Sequence, residues 1–211
     1  MNDSFKSAVS DWLALGVFCL AAMPLTASLA EDSDSKKIFQ RERLVAWCIV
    51  PFDARKRTPS QRAEMVAKLG MARVAYDWRA EHVPTFEAEV EEYKKHGIEF
   101  FAFWSWHDAL EPLISKHGIR PQIWLMIPNV ADKADVDKVK AAADALRPMV
   151  EKTAELGLCL GLYNHGGWGG EPENLAAVCK YLHEHHKAKH VGIVYNFHHG
   201  HEHVARFPKA F

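Results

Sequence analysis

Short apolar runs rich in β-branched and aromatic residues begin near Leu44, Met71, Ile98, Arg120, Leu158 and Val191. Each gives way to a polar loop and then to a segment with helical periodicity, so the chain repeats one strand-then-helix unit six times. The runs Phe100-Phe-Ala-Phe-Trp104 and Ile123-Trp-Leu-Met-Ile127 are apolar at every position instead of alternating. Such strands are buried on both faces, which predicts a parallel sheet flanked by helices. Helix starts are marked by Thr58-Pro59-Ser60 ahead of Gln61 to Leu69 and by Pro84-Thr85 ahead of Phe86 to His96. Gly70, Gly97, Gly118 and Gly157 stand where a helix must stop before the next strand, as residues that tolerate a left-handed cap.

Two α/β architectures fit this repeat, a (β/α) TIM barrel and an open doubly wound sheet. No Gly-x-Gly-x-x-Gly follows the first strand, and Trp47-Cys-Ile-Val-Pro51-Phe-Asp53 offers nothing to cradle a pyrophosphate. The barrel is therefore expected, and with six units in place of eight it is incomplete. A closed barrel has no edges, whereas six strands leave two, so the pattern predicts a homo-oligomer, a partner or further sequence to cover them.

Ahead of this domain, Lys6 precedes an apolar stretch from Trp12 to Leu29, and Ser28-Leu-Ala30 has the small-x-small form of a signal peptidase site. The reading is a signal peptide over residues 1–30 cleaved before Glu31, a linker over 31–43 and a barrel domain over 44–211. Cleavage implies export to a periplasmic or extracellular space; an uncleaved segment would tether the protein to a membrane. With 48% hydrophobic and 25% charged residues and a net charge of −1, the 211-residue chain has an ordinary globular composition. It carries no basic footprint for nucleic acid. Beyond Cys19 in the leader, Cys48, Cys159 and Cys179 are scattered and read as small buried side chains, not as a disulfide framework.

Candidate chemistry gathers where the last two strands end. Gly157 to Tyr163 runs into Asn164-His165-Gly-Gly-Trp168-Gly-Gly170, and Val191 to Tyr195 runs into Asn196-Phe-His198-His199-Gly-His201-Glu-His203. In parallel α/β folds the loops at the carboxyl ends of the strands build the ligand site. Trp168 is flanked by glycines that permit close approach or closure, and its ring suits either stacking on a sugar or capping the core. Trp104-Ser-Trp106-His107-Asp108 repeats the combination after strand three, with Asp108 read as a helix N-cap. Tyr76-Asp77-Trp78-Arg79 and Asn129 complete the rim, and Asp77 and Arg79 read as a pair. The histidines 183 to 190 read as the polar end of a helix.

These units, with the Leu-Tyr-Asn-His165 and Asn196-Phe-His-His199 endings, resemble the xylose isomerase-like TIM barrels, a family of sugar isomerases and epimerases. The resemblance covers about residues 44 to 203. It implies a carbohydrate substrate and a divalent metal that polarises it while proton carriers act, the metal being held by acidic and histidine ligands at the strand ends. Where the family places a Glu on strand five and an Asp on strand six, this chain has Tyr163 and Asn196, and His199 matches directly. Ligand chemistry, apart from the resemblance, offers an imidazole site drawn from His165, His198, His199, His201 and His203, with His199, His165 and His198 the expected ligands of a softer ion such as Zn²⁺ or Ni²⁺. Trp168, Trp106, Asn164 and Asn196 are the expected sugar contacts, and Glu171 or His107 the expected proton carriers. A noncatalytic barrel that binds sugar through its aromatic pocket is the alternative.

Overall fold

The computed structural model describes Lys37 and residues 39–130 and 134–211; the expected signal segment lies outside them. From residue 39 on, strands and α-helices alternate among the described residues: β1 (Val45–Trp47), α1 (Pro59–Lys68), β2 (Arg73–Asp77), α2 (Phe86–Lys95), β3 (Glu99–Trp104), α3 (Glu111–His117), β4 (Gln122–Met126), α4 (Asp135–Glu155), β5 (Leu160–Tyr163), α5 (Pro172–His186), β6 (Val191–Val194) and the single-turn α6 (Phe207–Ala210). The six strands form one parallel sheet in the order β1-β2-β3-β4-β5-β6. Among the described residues no pairing joins β6 back to β1, so the barrel is not closed.

Local signals explain the element ends. Thr58 accepts from the Gln61 backbone N–H while the Gln61 side chain accepts from the Thr58 N–H, a capping box that starts α1 with Pro59 in its first turn. Gly70, Gly97, Gly118 and Gly157 all have positive φ where the chain turns from helix to strand. Thr85 starts α2 without a side-chain cap, because a 3-10 turn over Ala80–Thr85 leads directly into it.

The sheet has two apolar faces. Val74, Tyr76, Phe103, Ile123, Leu160 and Leu162 face the helices and pack with Val66, Val90, Ile114, Leu146, Leu175 and Val178. The alternate residues of the same strands form a second cluster: Ala75, Ala102 and Trp124 are buried, with Val45, Trp47, Phe101, Trp104 and Val194 packed around them. That second cluster is the lumen of a curled sheet. Trp47, on the first strand, reaches across to Trp124 and Tyr163 with edge-on ring contacts of 5.6 and 5.4 Å. Such pairs contribute about 0.5–1.5 kcal/mol each beyond the area they bury. Gly161 makes this filling possible: a Cβ there would lie 2.6 Å from Val194 Cγ2 and 2.9 Å from Trp124 Cδ1.

A register shift between β2 and β3 sets the rim. Val74 pairs with Phe100 but Ala75 pairs with Ala102, so Phe101 is an extra residue and Trp104 falls opposite Asp77. Outside the lumen, Arg62 of α1 and Glu89 of α2 form a buried ion pair, with the hydroxyls of Tyr76 and Tyr93 buried close to it. Cys48, Cys159 and Cys179 are free thiols. Cys159 is exposed, and Cys48 lies just past the end of β1 with φ of 57°, so neither is the buried strand residue that the sequence suggested.

Candidate functional site

A cavity of about 510 Å³ opens at the carboxyl ends of the strands. Its aromatic lining is Trp47, Phe52, Trp104 and Tyr163, and its polar lining comes from Cys48, Asp77 and Arg79 on one side and His165, Asn196, His198 and His199 on the other. Every polar member follows from strand geometry. Trp47, Asp77, Trp104 and Tyr163 are the last residues of β1, β2, β3 and β5, and the others stand in the loop that leaves β1, β2, β5 or β6. A smaller hollow of about 280 Å³ adjoins it beside Met126, Asn129 and Gly169, with Tyr163 and His165 shared between the two.

Asp77 is nearly buried and is held from both sides. Arg79 Nη1 lies 2.5 Å from its Oδ1, and the Cys48 thiol points at its Oδ2 from 3.6 Å. Burial, with the Asp77 charge and hydrogen bond adding to it, pushes the Cys48 thiol up to about 11. Across the cavity the rings of His165 and His199 lie 4.3 Å apart, and that of His198 is 5.1 Å from His199. Burial and the neighbouring imidazoles of His165 and His198 lower the His199 pKa, which favours a neutral ring at neutral pH.

Tyr163 and Asn196 form the centre of the floor. The Asn196 side-chain amide donates to the Tyr163 hydroxyl at 2.5 Å, and Asn196 Oδ1 accepts from the His198 backbone N–H at 2.8 Å. The Tyr163 ring is wedged against Trp104 at 4.3 Å, and burial pushes its phenol up to about 12. Behind it Asn164 is fully buried. Its Nδ2 donates to the Asn196 carbonyl at 3.0 Å and its Oδ1 accepts from the Asn196 N–H at 2.6 Å, which locks the β6 loop onto the end of β5. After His165, Gly166 and Gly167 both take positive φ with open space around them, so the loop turns away and leaves the imidazole at the mouth.

The structure thus gathers His165, His198, His199 and Asn196 from the expected residues and leaves the rest outside the cavity. Asn164 spends both ends of its amide on backbone, so it positions Asn196 and does not face a ligand. Trp168 packs against the main core, in a 3-10 turn over Trp168–Gly170, which is its capping role. Trp106 donates its indole N–H to Asp108 at 2.9 Å and has Lys152 over its ring at 4.9 Å. The N-cap of the turn after β3 is His107, whose Nδ1 accepts from the Ala109 N–H, and not Asp108; its ring is boxed by Trp78 and Phe86. Glu171 pairs with Arg206 at 2.6 Å and lies 3.4 Å from His203. Asp77, Arg79, Cys48, Trp47, Phe52 and Tyr163 take the places that these residues leave. The signal for most of them was positional, since each ends a strand or follows one closely.

The donor atoms at this cavity do not suit a hard divalent cation such as Mg²⁺ or Mn²⁺. The single carboxylate, Asp77, is engaged by Arg79 and Cys48, and Asn196 and Tyr163 are neutral and bonded to one another. Hard cations need more carboxylate charge than this. Among the described residues, the three ligating side chains whose donor atoms converge within 4.8 Å are Glu87, Glu91 and His117 on α2 and α3, where Lys116 also pairs with Glu87.

Solved structures share this fold. The 3-keto-D-glucoside 4-epimerase YcjR from E. coli, in its apo form, superposes with a TM-score of 0.53 at 13% identity, over 72% of this chain and 68% of its own. A D-psicose 3-epimerase solved in the presence of D-fructose gives 0.54 at 14% identity, over 79% and 67%. No protein-family model and no curated protein matches the chain. What the chain shares with these two structures is the fold, six parallel strands in one sheet with flanking helices.

Proposed function

We propose that the protein binds a carbohydrate in the cavity at the strand ends and acts on it as an isomerase or epimerase does, by moving a proton on a sugar carbon. The observation that carries this reading is the composition of the cavity wall. Flat aromatic faces at Trp47, Phe52 and Trp104 stand beside hydrogen-bonding groups, with a carboxylate on one side and imidazoles on the other. Aromatic rings cover the apolar C–H face of a sugar while polar groups fix its hydroxyls. A volume of about 510 Å³ suits a single small ring or open-chain sugar. Asp77 and His199 are the groups placed to take and return a proton, and the epimerase names of the two similar structures support a sugar substrate. A sugar-binding protein without turnover is the second reading, favoured by the neutral Tyr163 and Asn196 at the centre of the floor.

Titration of the protein with a panel of ketohexoses and aldohexoses, followed by tryptophan emission, tests the proposal. We expect saturable quenching by at least one sugar and a loss of about tenfold or more in affinity for Trp104→Ala, whose ring covers an apolar sugar face. Sugar samples followed by NMR then separate the readings: interconversion supports the enzyme, binding with an unchanged spectrum supports the receptor, and absence of binding by every sugar defeats both.

A further inference from the structure

We propose that Tyr163 is the electrophile of this site, its phenolic O–H donating to the substrate's carbonyl oxygen in the role for which related chemistry uses a cation. This inference rests on the carbohydrate reading above and goes further, because it names the group that polarises the substrate. Tyr163 ends β5 on the lumen side and lines both the main cavity and the adjoining hollow. Its oxygen already accepts a hydrogen bond from the Asn196 amide at 2.5 Å. A phenol that accepts one bond keeps its own proton for another, and the accepted bond makes it a better donor.

The rest of the pocket fixes that donor in place. Trp104 at 4.3 Å and Trp47 at 5.4 Å contact the Tyr163 ring edge-on, and Asn164 ties the Asn196 loop to the end of β5 through two backbone hydrogen bonds. Preorganised donors aimed at developing negative charge are worth about 10²–10³ in rate when one is removed. The step balances within the substrate and the chain. A nitrogen of His199 takes the proton from the carbon beside the carbonyl, and the C–H electron pair becomes the C=C bond of an enediolate. The carbonyl π pair moves to oxygen, where the Tyr163 O–H meets it, and return of a proton from the protonated His199 to that carbon regenerates the carbonyl sugar, carrying deuterium once the imidazolium has exchanged with D₂O. No oxidant, reductant or ion enters.

The test uses the whole protein, dialysed against EDTA, with D-fructose and the other 2-ketohexoses in D₂O. Deuterium uptake beside the carbonyl is read by NMR, and binding by tryptophan emission. We expect uptake by the wild-type protein without added metal, and a fall of about 100-fold in Tyr163→Phe with sugar affinity changed less than threefold. Retained binding by that variant shows that its pocket is folded. Asn196→Ala, which removes the donor behind the phenol, is expected to slow uptake to a smaller extent. Uptake that appears only after Mn²⁺ or Zn²⁺ is restored overturns the inference and leaves the carbohydrate reading standing. Undiminished uptake in Tyr163→Phe, or binding without uptake in any condition, also overturns it. Absence of sugar binding by the wild type removes the carbohydrate reading and this inference together.

Discussion

Cys48 shows how one residue is shaped by its neighbours at the rim. Its backbone is left-handed, with φ of 57°, a region costly for a side chain bearing Cβ, and its thiol points at the Asp77 carboxylate. With its pKa near 11, raised first by burial and then by Asp77, the thiolate forms only in strong alkali. Because thiolate is the reactive species, alkylation by iodoacetamide at pH 8 should be about 100-fold slower at Cys48 than at an ordinary exposed thiol, and should rise steeply as pH approaches 11. Peptide mapping by mass spectrometry reads this directly, with exposed Cys159 as the internal comparison. Fast labelling of Cys48 at pH 8 would contradict the geometry. The Asp77–Arg79 pair was readable from a spacing of two residues after a strand. The swap of cap from Asp108 to His107 was not, because it turns on Trp106 having claimed the Asp108 carboxylate.

At the scale of elements, strands and helices were legible because continuous apolar runs and helix-stop glycines leave few alternatives, and all six strands start within two residues of the expected points. What the pattern could not show was which residues face the lumen. A strand buried on both sides is apolar throughout, so Trp47, Trp124 and Tyr163 carried no mark distinguishing them from Phe103 or Leu160, and the extra residue at Phe101 changes the alternation partway along β3. The Arg62–Glu89 pair was hidden for the related reason that charged residues on helices ordinarily read as surface. Gly161 is where the lumen packing can be tested. Gly161→Ala is expected to destabilise the fold by about 1–3 kcal/mol, since Val194 and Trp124 would both have to move. Urea denaturation followed by circular dichroism measures it, and a change within 0.5 kcal/mol, the order of an ordinary surface substitution, would mean the lumen is looser than the contacts indicate.

For the whole molecule, the sheet ends in two strands that each lack a partner on one side among the described residues, β1 and β6. Large apolar side chains follow both in the chain and are exposed, Phe52 after β1 and Phe197, Val204 and Phe211 after β6. Unpaired parallel edges recruit other strands, so self-association is the expected solution behaviour. Light scattering behind size exclusion should give a mass of at least two chains, and a monodisperse monomer stable at high concentration would contradict the edge argument. The cavity was legible in outline, since the strand-end rule pointed to His165, Asn196, His198 and His199, which all line it. Its aromatic walls were not, because Trp168 and Trp106 pack against the main core instead of lining the cavity, through contacts between elements distant in sequence.

The order of the strands has one more consequence. Each strand hydrogen-bonds only to the unit made just before it and the one made just after, and nothing in the described sheet waits for the last strand to return to the first. Every pairing therefore closes a single crossover, from 20 residues (Ala102↔Gln122) to 37 (Ile123↔Leu160), and none spans more than one unit. A nascent chain leaving the ribosome can add its units in the order of translation, each new strand docking on an edge already in place.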